Sequence, residues 1–276
     1  MNKRILSLQD FSSIGRCSLT AAIPIVSALG NELVALPTAI YSTQTAIDNF
    51  TFTDLSDSIL PAYNHFKSIK AEFDCLYTGF LGTISAVDAA IEIAKDFKSA
   101  GRLVAIDPAM ADDGSLYSVF DLQYFNKMRE LASLADVLLP NFTEGRMLSD
   151  TTECESTDVE NAKLILNAFK KQGLPCVVLS GVTNGNLCGT ATLFNGLISF
   201  QFNEKFEERI HGAGDILSSI VVSSVLDGMT FPDAAQKAVD FIRLAIKSTV
   251  TKNTDLRYGL NLEKCLPYLI NRTEIK

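Results

Sequence analysis

The run His211-Gly212-Ala213-Gly214-Asp215 stands directly ahead of Ile216-Leu217-Ser218-Ser219-Ile220-Val221. Apolar positions 216, 217, 220, 221 and 225 repeat at helical spacing, which predicts a helix starting at or just before Asp215. Small residues upstream let main-chain N–H groups converge on an anion at the positive end of that helix. A carboxylate in the first turn can then take a proton from an attacking hydroxyl while the amides stabilise the oxygens of a transferring phosphoryl group. The same residues also spell a glycine turn followed by an acid that favours the helix dipole. So short a Gly-rich match does not separate the two readings. No Gly-Lys-Ser/Thr follows it, so it is not a Walker-type phosphate loop.

Two further segments place chemistry just beyond apolar strands, where ligands bind in open α/β sheets. Pro140-Asn141-Phe142-Thr143-Glu144 follows Val137-Leu138-Leu139. Its amide and carboxylate suit a hydrated Mg²⁺ and the phosphates it bridges. The spacing equally fits a helix start with Asn141 as cap and Glu144 as its capping-box partner, and the two uses are compatible. Ile106-Asp107-Pro108-Ala109-Met110-Ala111-Asp112 is the third segment, in which Asp107 either caps a loop or faces phosphates and metal.

The elements that must position these residues are legible as alternating runs. Strands are predicted at Ile5–Leu8, Leu33–Ala39, Cys75–Gly79, Leu103–Ile106, Asp136–Leu139 and Cys176–Leu179. Helical patterns lie near Ser18–Leu29, Asp54–Lys70, Ser85–Ser99, Gln123–Leu134 and Asp158–Lys171. Buried parallel strands read as continuous apolar runs and need crossover helices, so a single-domain, doubly wound, mostly parallel α/β sheet flanked by helices follows. Gly189–Phe194 and Leu197–Phe200, joined by Asn195-Gly196, predict a β-hairpin at the sheet edge in the C-terminal half. Helices are expected from about Asp215 and Pro232, and a last one near Leu262–Leu269. With no repeat or low-complexity tract, residues 1–276 are taken as one domain.

A charge of −8 and a pI near 4.9 exclude the basic stripe a nucleic-acid partner needs. The N-terminus does not read as a signal peptide, and no stretch reaches the roughly 18 apolar residues of a membrane span, so a cytoplasmic protein is expected. Six scattered cysteines without a C-x-x-C pair suit reduced thiols, and two histidines are too few for a histidine metal site.

Taken in order, these segments resemble the ribokinase-like superfamily, and within it the pyridoxal/pyridoxine/pyridoxamine kinases, over essentially the whole chain. Ile5-Leu6-Ser7-Leu8-Gln9 with Gly15 is similar to that group's opening strand and substrate loop. Pro37-Thr38 with Ser42 and Thr45 resembles its second substrate segment. Thr78-Gly79-Phe80-Leu81-Gly82 resembles S-G-Y-L-G, and Asp107-Pro108-Ala109-Met110 resembles D-P-V-M. Asn141-x-x-Glu144 and Gly212-Ala213-Gly214-Asp215 match the superfamily's N-x-x-E and G-x-G-D motifs. The resemblance implies an ATP- and Mg²⁺-dependent kinase, with a monovalent cation as an optional addition, that phosphorylates the 5′-hydroxymethyl of a small B6 vitamer. It implies Asp215 as the base and Gly212, Ala213 and Gly214 as the anion hole. Gln9, Asp10, Thr38, Tyr41, Ser42 and Gly79 would hold the substrate. Asp107, Asn141, Glu144, Ser180 and the loop after Val250 would hold the nucleotide, with Asp107 and Glu144 also serving the metal. A cytosolic homodimer is the family's common form.

The chain departs from that pattern twice. It reads Gln9-Asp10-Phe11 where many pyridoxal kinases read Gln-Ser-His, and Gly181-Val182-Thr183-Asn184-Gly185 offers no Lys for the phosphates, leaving Ser180 to serve through its hydroxyl. A hydroxymethylpyrimidine kinase and a non-catalytic vitamer- or nucleotide-binding protein on the same scaffold remain as alternatives.

Overall fold

A computed structural model describes residues 2–207, 210–251 and 255–270. Its centre is a nine-stranded sheet. The strands are β1 (Arg4–Ile14), β2 (Glu32–Thr43), β3 (Phe52–Asp54), β4 (Cys75–Thr78), β5 (Leu103–Ile106), β8 (Val137–Leu138), β9 (Cys176–Asn184), β10 (Leu187–Phe194) and β11 (Leu197–Glu204). They lie in the order β11-β10-β9-β8-β5-β4-β1-β2-β3. The six strands from β9 to β2 run parallel, while β3, β10 and β11 are antiparallel edges. A separate two-stranded ribbon, β6 (Ala111–Asp112) with β7 (Ser115–Leu116), stands beside the sheet.

Helices cover both faces because successive strand residues point to opposite sides. Leu6, Leu8, Leu76, Val104, Ile106, Leu138, Val177 and Leu179 face one core. There they meet α2 (Ser56–Ser68), α3 (Ile84–Ser99), α4 (Leu122–Ala132), α5 (Phe142–Leu148) and α6 (Val159–Lys171). Ile5, Cys75, Tyr77, Ala105, Val137 and Val178 face the other, against α1 (Ser18–Ala28), α7 (Ala213–Leu226) and α8 (Phe231–Val250). Among the described residues no helix is long and apolar enough to cross a membrane.

The expected strands and crossover helices are present, with informative differences. β1 and β2 extend well past their apolar runs, pairing Phe11 with Ile40 and Ile14 with Thr43, and β3 adds to their outer edge. The hairpin forms around Asn195 and Gly196, which hold φ of 51° and 73° as a tight two-residue turn requires. The predicted helix at Leu262–Leu269 does not form. The segment is a turn ending in a short 3₁₀ helix, Leu266–Tyr268, since Pro267 has no N–H to continue an α-helical ladder.

Candidate active site

The first strand pairs with β2 on one side and β4 on the other, so the loops leaving these strands diverge at their C-terminal ends. Such a switch point opens a crevice. A cavity of about 310 Å³ occupies it, lined by Asp10 and Ser12 of β1, Tyr41 of β2, Phe80 after β4, Tyr117, and Asp215. A second cavity, about 190 Å³, contains Asp107, Asn141, Glu144, Ser180, Ser218 and Gly212 to Asp215. A third, about 340 Å³, runs on between Ser180, Gly181, Cys188, Lys205, Phe206, Val239, Ile242 and Ile246. The first two share Asp112, His211, Gly212 and Asp215, and the last two share Asp112, Ser180, Ala213 and Gly214. One cleft therefore passes through the start of α7.

Gly212 makes that start possible. It is the N-cap of α7 with φ of 78°, and a Cβ there would stand 2.3 Å from the Arg16 carbonyl oxygen. Having no side chain, it leaves the first-turn amides uncapped along the cavity walls. Gly214 needs no special backbone, and a Cβ on it would meet nothing within 4 Å.

Four carboxyls lie along this path, Asp10, Asp107 and Glu144 buried and Asp215 partly so. Asp215 is pushed up to about 8, by burial first and then by the charge of Asp107, against the pull of the Ser18 backbone N–H. Asp107 accepts hydrogen bonds from Ser218 Oγ (2.7 Å) and the Ala109 N–H (3.3 Å), and burial followed by repulsion from Glu144 raises it to about 7. Glu144 is 2 % exposed. Its Oε1 accepts from the N–H groups of Met110 (2.9 Å) and Ala111 (3.2 Å), and its Oε2 from Asn141 N–H (2.9 Å). Burial outweighs these three donors and lifts it to about 7. Asp10 is likewise raised by burial, against hydroxyl donors from Ser18 and Ser12. Ser18 thus faces both Asp10 and Asp215, from a backbone held at φ 46°. Such a conformation stores about 1–3 kcal/mol and is commonest at functional sites.

Each of these carboxyls binds its proton more tightly folded than unfolded. The resulting stability is complete below about pH 4, where unfolded carboxyls are also protonated. It is lost as pH rises towards 8. Calorimetry on the unliganded protein should show the melting temperature falling between pH 5 and 8. Asp107→Asn should flatten that fall, and an unchanged slope would show that burial does not govern these groups.

The structure brings Asp10, Tyr41, Asp107, Asn141, Glu144, Ser180 and Gly212 to Asp215 to the cleft. Four expected substrate residues are not in its walls. Gln9 is buried, donates to Ser7 Oγ at 3.0 Å, and packs so closely on Gly79 that a Cβ there would meet it at 2.8 Å. Thr38 donates to the Phe80 carbonyl, and Ser42 Oγ accepts from Thr51 N–H, tying the β2 extension to its neighbour. Asn141 and Glu144 form the full capping box of α5, and Asn141 Nδ2 also donates to Ala111 O at 2.6 Å. Of the loop after Val250, residues 252–254 lie outside the described residues.

Sequence reasoning missed Asp112, which lines all three cavities, and Tyr117, which lines two. Asp112 ends β6 and Tyr117 directly follows β7, and the turn between the two strands is Asp113-Gly114 with φ of 49° and 83°. Asp-Gly is a hairpin signal, so the ribbon was legible where only a loop was expected.

Against known proteins, the family described as phosphomethylpyrimidine kinase matches residues 17–258. The chain is 32 % identical to a candidate phosphomethylpyrimidine kinase from Bacteroides thetaiotaomicron solved with pyridoxal. That match covers 98 % of this chain and 96 % of the other, with a TM-score of 0.91. Pyridoxal kinase from Lactobacillus plantarum is 26 % identical, with coverage of 97 % and 96 % and a TM-score of 0.87. A candidate pyridoxal kinase of Schizosaccharomyces pombe is 26 % identical over 96 % of this chain and 90 % of its own length.

Proposed function

The chain belongs to the phosphomethylpyrimidine kinase family, and on that premise we propose that it transfers the terminal phosphoryl group of ATP to the 5′-hydroxymethyl of a B6 vitamer: pyridoxal, pyridoxine or pyridoxamine. The observation that carries this reading is the single cleft that joins an aromatic-walled cavity to an apolar one through the N-terminus of α7. The heterocycle sits among Asp10, Tyr41 and Phe80, and the adenine among Phe206, Val239, Ile242 and Ile246. The phosphates lie between, over Gly212, Ala213 and Gly214.

Asp215 takes the hydroxyl proton as the oxygen attacks the terminal phosphorus and the bond to the ADP oxygen breaks. Its raised proton affinity suits that task, since a base works best when its pKa lies near the operating pH. First-turn amides stabilise the phosphoryl oxygens throughout. Ser180 meets the phosphates through its hydroxyl. Lys205 supplies the cation missing after Ser180, because among the described residues no carboxylate pairs with it, while Arg243, also in this wall, is held by Glu204 at 2.7 Å.

Among the described residues no three His, Cys, Asp or Glu side chains are placed to cage a metal. Asp107 and Asp112, which line one cavity with the start of α7, fit Mg²⁺, which keeps several waters and takes one or two carboxylates plus phosphates. Asp107 and Asp112 are the residues to hold it, and Glu144, with three N–H groups already on its oxygens, has little left to offer. Bound there, the ion offsets charge on the phosphates.

The whole chain acts as one kinase domain, in the cytoplasm, as a homodimer. Exposed Phe11, Ile14, Ile40 and Phe52 on the extended β1-β2-β3 edge support the last point. A coupled ADP-release assay against pyridoxal, pyridoxine, pyridoxamine and hydroxymethylpyrimidine tests the reading. Faster turnover of hydroxymethylpyrimidine than of every vitamer would favour the pyrimidine kinase that the family's description names. Nucleotide and vitamer binding without ADP formation would instead make this a binding protein.

Gly212 and Gly214 give a paired prediction. Gly214→Ala should keep the wild-type melting temperature, because its methyl meets no protein atom, yet raise KM for ATP at least tenfold by entering the anion's place. Gly212→Ala should lower the melting temperature as well, since a positive φ and a backbone oxygen at 2.3 Å both oppose it. Wild-type ATP kinetics in Gly214→Ala would remove the phosphates from this helix start.

A further inference from the structure

The run His211-Gly212-Ala213-Gly214-Asp215 has one member without a role in the transfer reading. His211, partly buried, lines the cavity assigned to the heterocycle and the cavity at the start of α7, but not the one assigned to the adenine. Among the described residues no Lys or Arg lines either of the first two, so His211 is their one basic side chain. Lys205 stands on the other side, in the adenine cavity. The second histidine of the chain, His65, is exposed on α2.

Transfer carries the phosphoryl group from the Lys205 side of the α7 start to the side where His211 stands. The group keeps negative charge on its outer oxygens throughout, and in the product these belong to a phosphate monoester. That charge arrives where Asp10, Asp112 and Asp215 line the wall. Like charges a few ångströms apart repel strongly where water is scarce. An N–H donor on the acceptor side meets the charge that moves away from Lys205, and so lowers the barrier. His211 is well placed to be that donor. It directly precedes Gly212, whose φ of 78° and close approach to the Arg16 carbonyl fix the chain at this point. An imidazole has two nitrogens, so a bond that holds the ring leaves the other nitrogen for a ligand.

We infer that His211 is a catalytic residue of the acceptor side, donating an imidazole N–H to a phosphoryl oxygen as the group leaves ADP, and holding the phosphate monoester once it has formed. The inference rests on the vitamer-kinase reading and gives that reading a second donor group beside the α7 amides. In the step, the bond from the terminal phosphorus to the ADP oxygen breaks and the bond to the hydroxymethyl oxygen forms. The hydroxyl proton passes to Asp215, and His211 keeps its own. Lys205 and His211 thus flank the start of α7, one on the side the phosphoryl group leaves and one on the side it reaches.

The test is ADP release with pyridoxal, pyridoxine and pyridoxamine in the wild type, His211→Ala and His211→Gln. In His211→Ala kcat should fall about a hundredfold, the usual cost of one donor to a developing oxyanion. The KM for ATP should stay within about threefold, because the contact is made on the acceptor side. Gln keeps an N–H donor, so His211→Gln should retain clearly more kcat than His211→Ala. Free imidazole should raise the rate of His211→Ala about tenfold without stimulating the wild type, a response that loss of a merely structural ring does not give. Near wild-type kcat in His211→Ala would overturn the inference. So would an equal loss in both variants with no response to imidazole. If the wild type turns over none of the vitamers, the kinase reading fails. Calorimetric titration of pyridoxine and pyridoxine 5′-phosphate into the same proteins then still decides on His211. The phosphate ester should bind about tenfold more weakly to His211→Ala while pyridoxine binds as before, and an equal change for both ligands would overturn the assignment.

Discussion

Asp215→Asn is expected to lower kcat by on the order of 10²–10⁴-fold, the usual worth of a positioned general base. The replacement has the same shape and can still accept from the Ser18 N–H, so the architecture at the start of α7 persists. It also removes one of the charges that repel one another along the cleft, between Asp215, Asp107 and Asp10. The melting temperature of the unliganded variant at pH 8 should therefore match or exceed that of the wild type, and ATP affinity should be unchanged or improved. In the wild type, kcat/KM should rise with pH until Asp215 has lost its proton, with an acid limb far above the ordinary carboxylate range and near 8. That limb should vanish in the residual activity of the variant. Near wild-type kcat in Asp215→Asn would assign the proton to another group and reduce the acid to a dipole-favouring first-turn residue.

The second large effect concerns stability. Glu144→Ala leaves the N–H groups of Met110, Ala111 and Asn141 without their acceptor in a buried site. At about 1–3 kcal/mol for each unsatisfied group, the loss reaches roughly 3 kcal/mol or more, a large share of the 5–15 kcal/mol typical of a folded protein. Glu144→Gln keeps one carbonyl oxygen but turns an NH₂ towards N–H donors, so it should lose several degrees of melting temperature. Its Mg²⁺ concentration for half-maximal rate should rise no more than a few-fold, because Asp107 and Asp112 hold the ion in the proposed arrangement. An unaltered melting temperature with a tenfold higher Mg²⁺ requirement would return Glu144 to the metal, as the N-x-x-E resemblance implies.

Glu144 shows why spacing could not decide its use. Asn141-x-x-Glu144 is a capping box whether or not a phosphate lies above it, and the box does form. What spacing cannot show is that the same carboxylate also reaches Met110 and Ala111, some thirty residues away, and so ties the segment carrying Asp107 and Asp112 to α5. Asp107 is similar. The sequence places it beyond a strand, but its bond from Ser218 of α7 spans 111 residues and exists only once both helix and strand are docked on the sheet.

The amino-acid sequence by itself determined what depends on local periodicity: apolar β-branched runs alternating with amphipathic ones, hence a doubly wound sheet, and small residues before an acid at a helix start. These are short-range consequences of backbone geometry and hydrophobic pattern, so they survive without knowledge of neighbours. Only the tertiary structure decided which side chains share a cavity. It kept Gln9, Thr38 and Ser42 out of the cavity lining while Asp10 and Tyr41 entered it, because adjacent strand residues face opposite sides, and it packed Gly79 against the Gln9 side chain. It brought Asp112 to all three cavities through a two-stranded ribbon whose Asp-Gly turn is legible but whose two-residue strands show no hydrophobic period. It also set the proton affinities, since burial and the approach of Asp107, Glu144, Asp10 and Asp215 arise between segments remote in the chain.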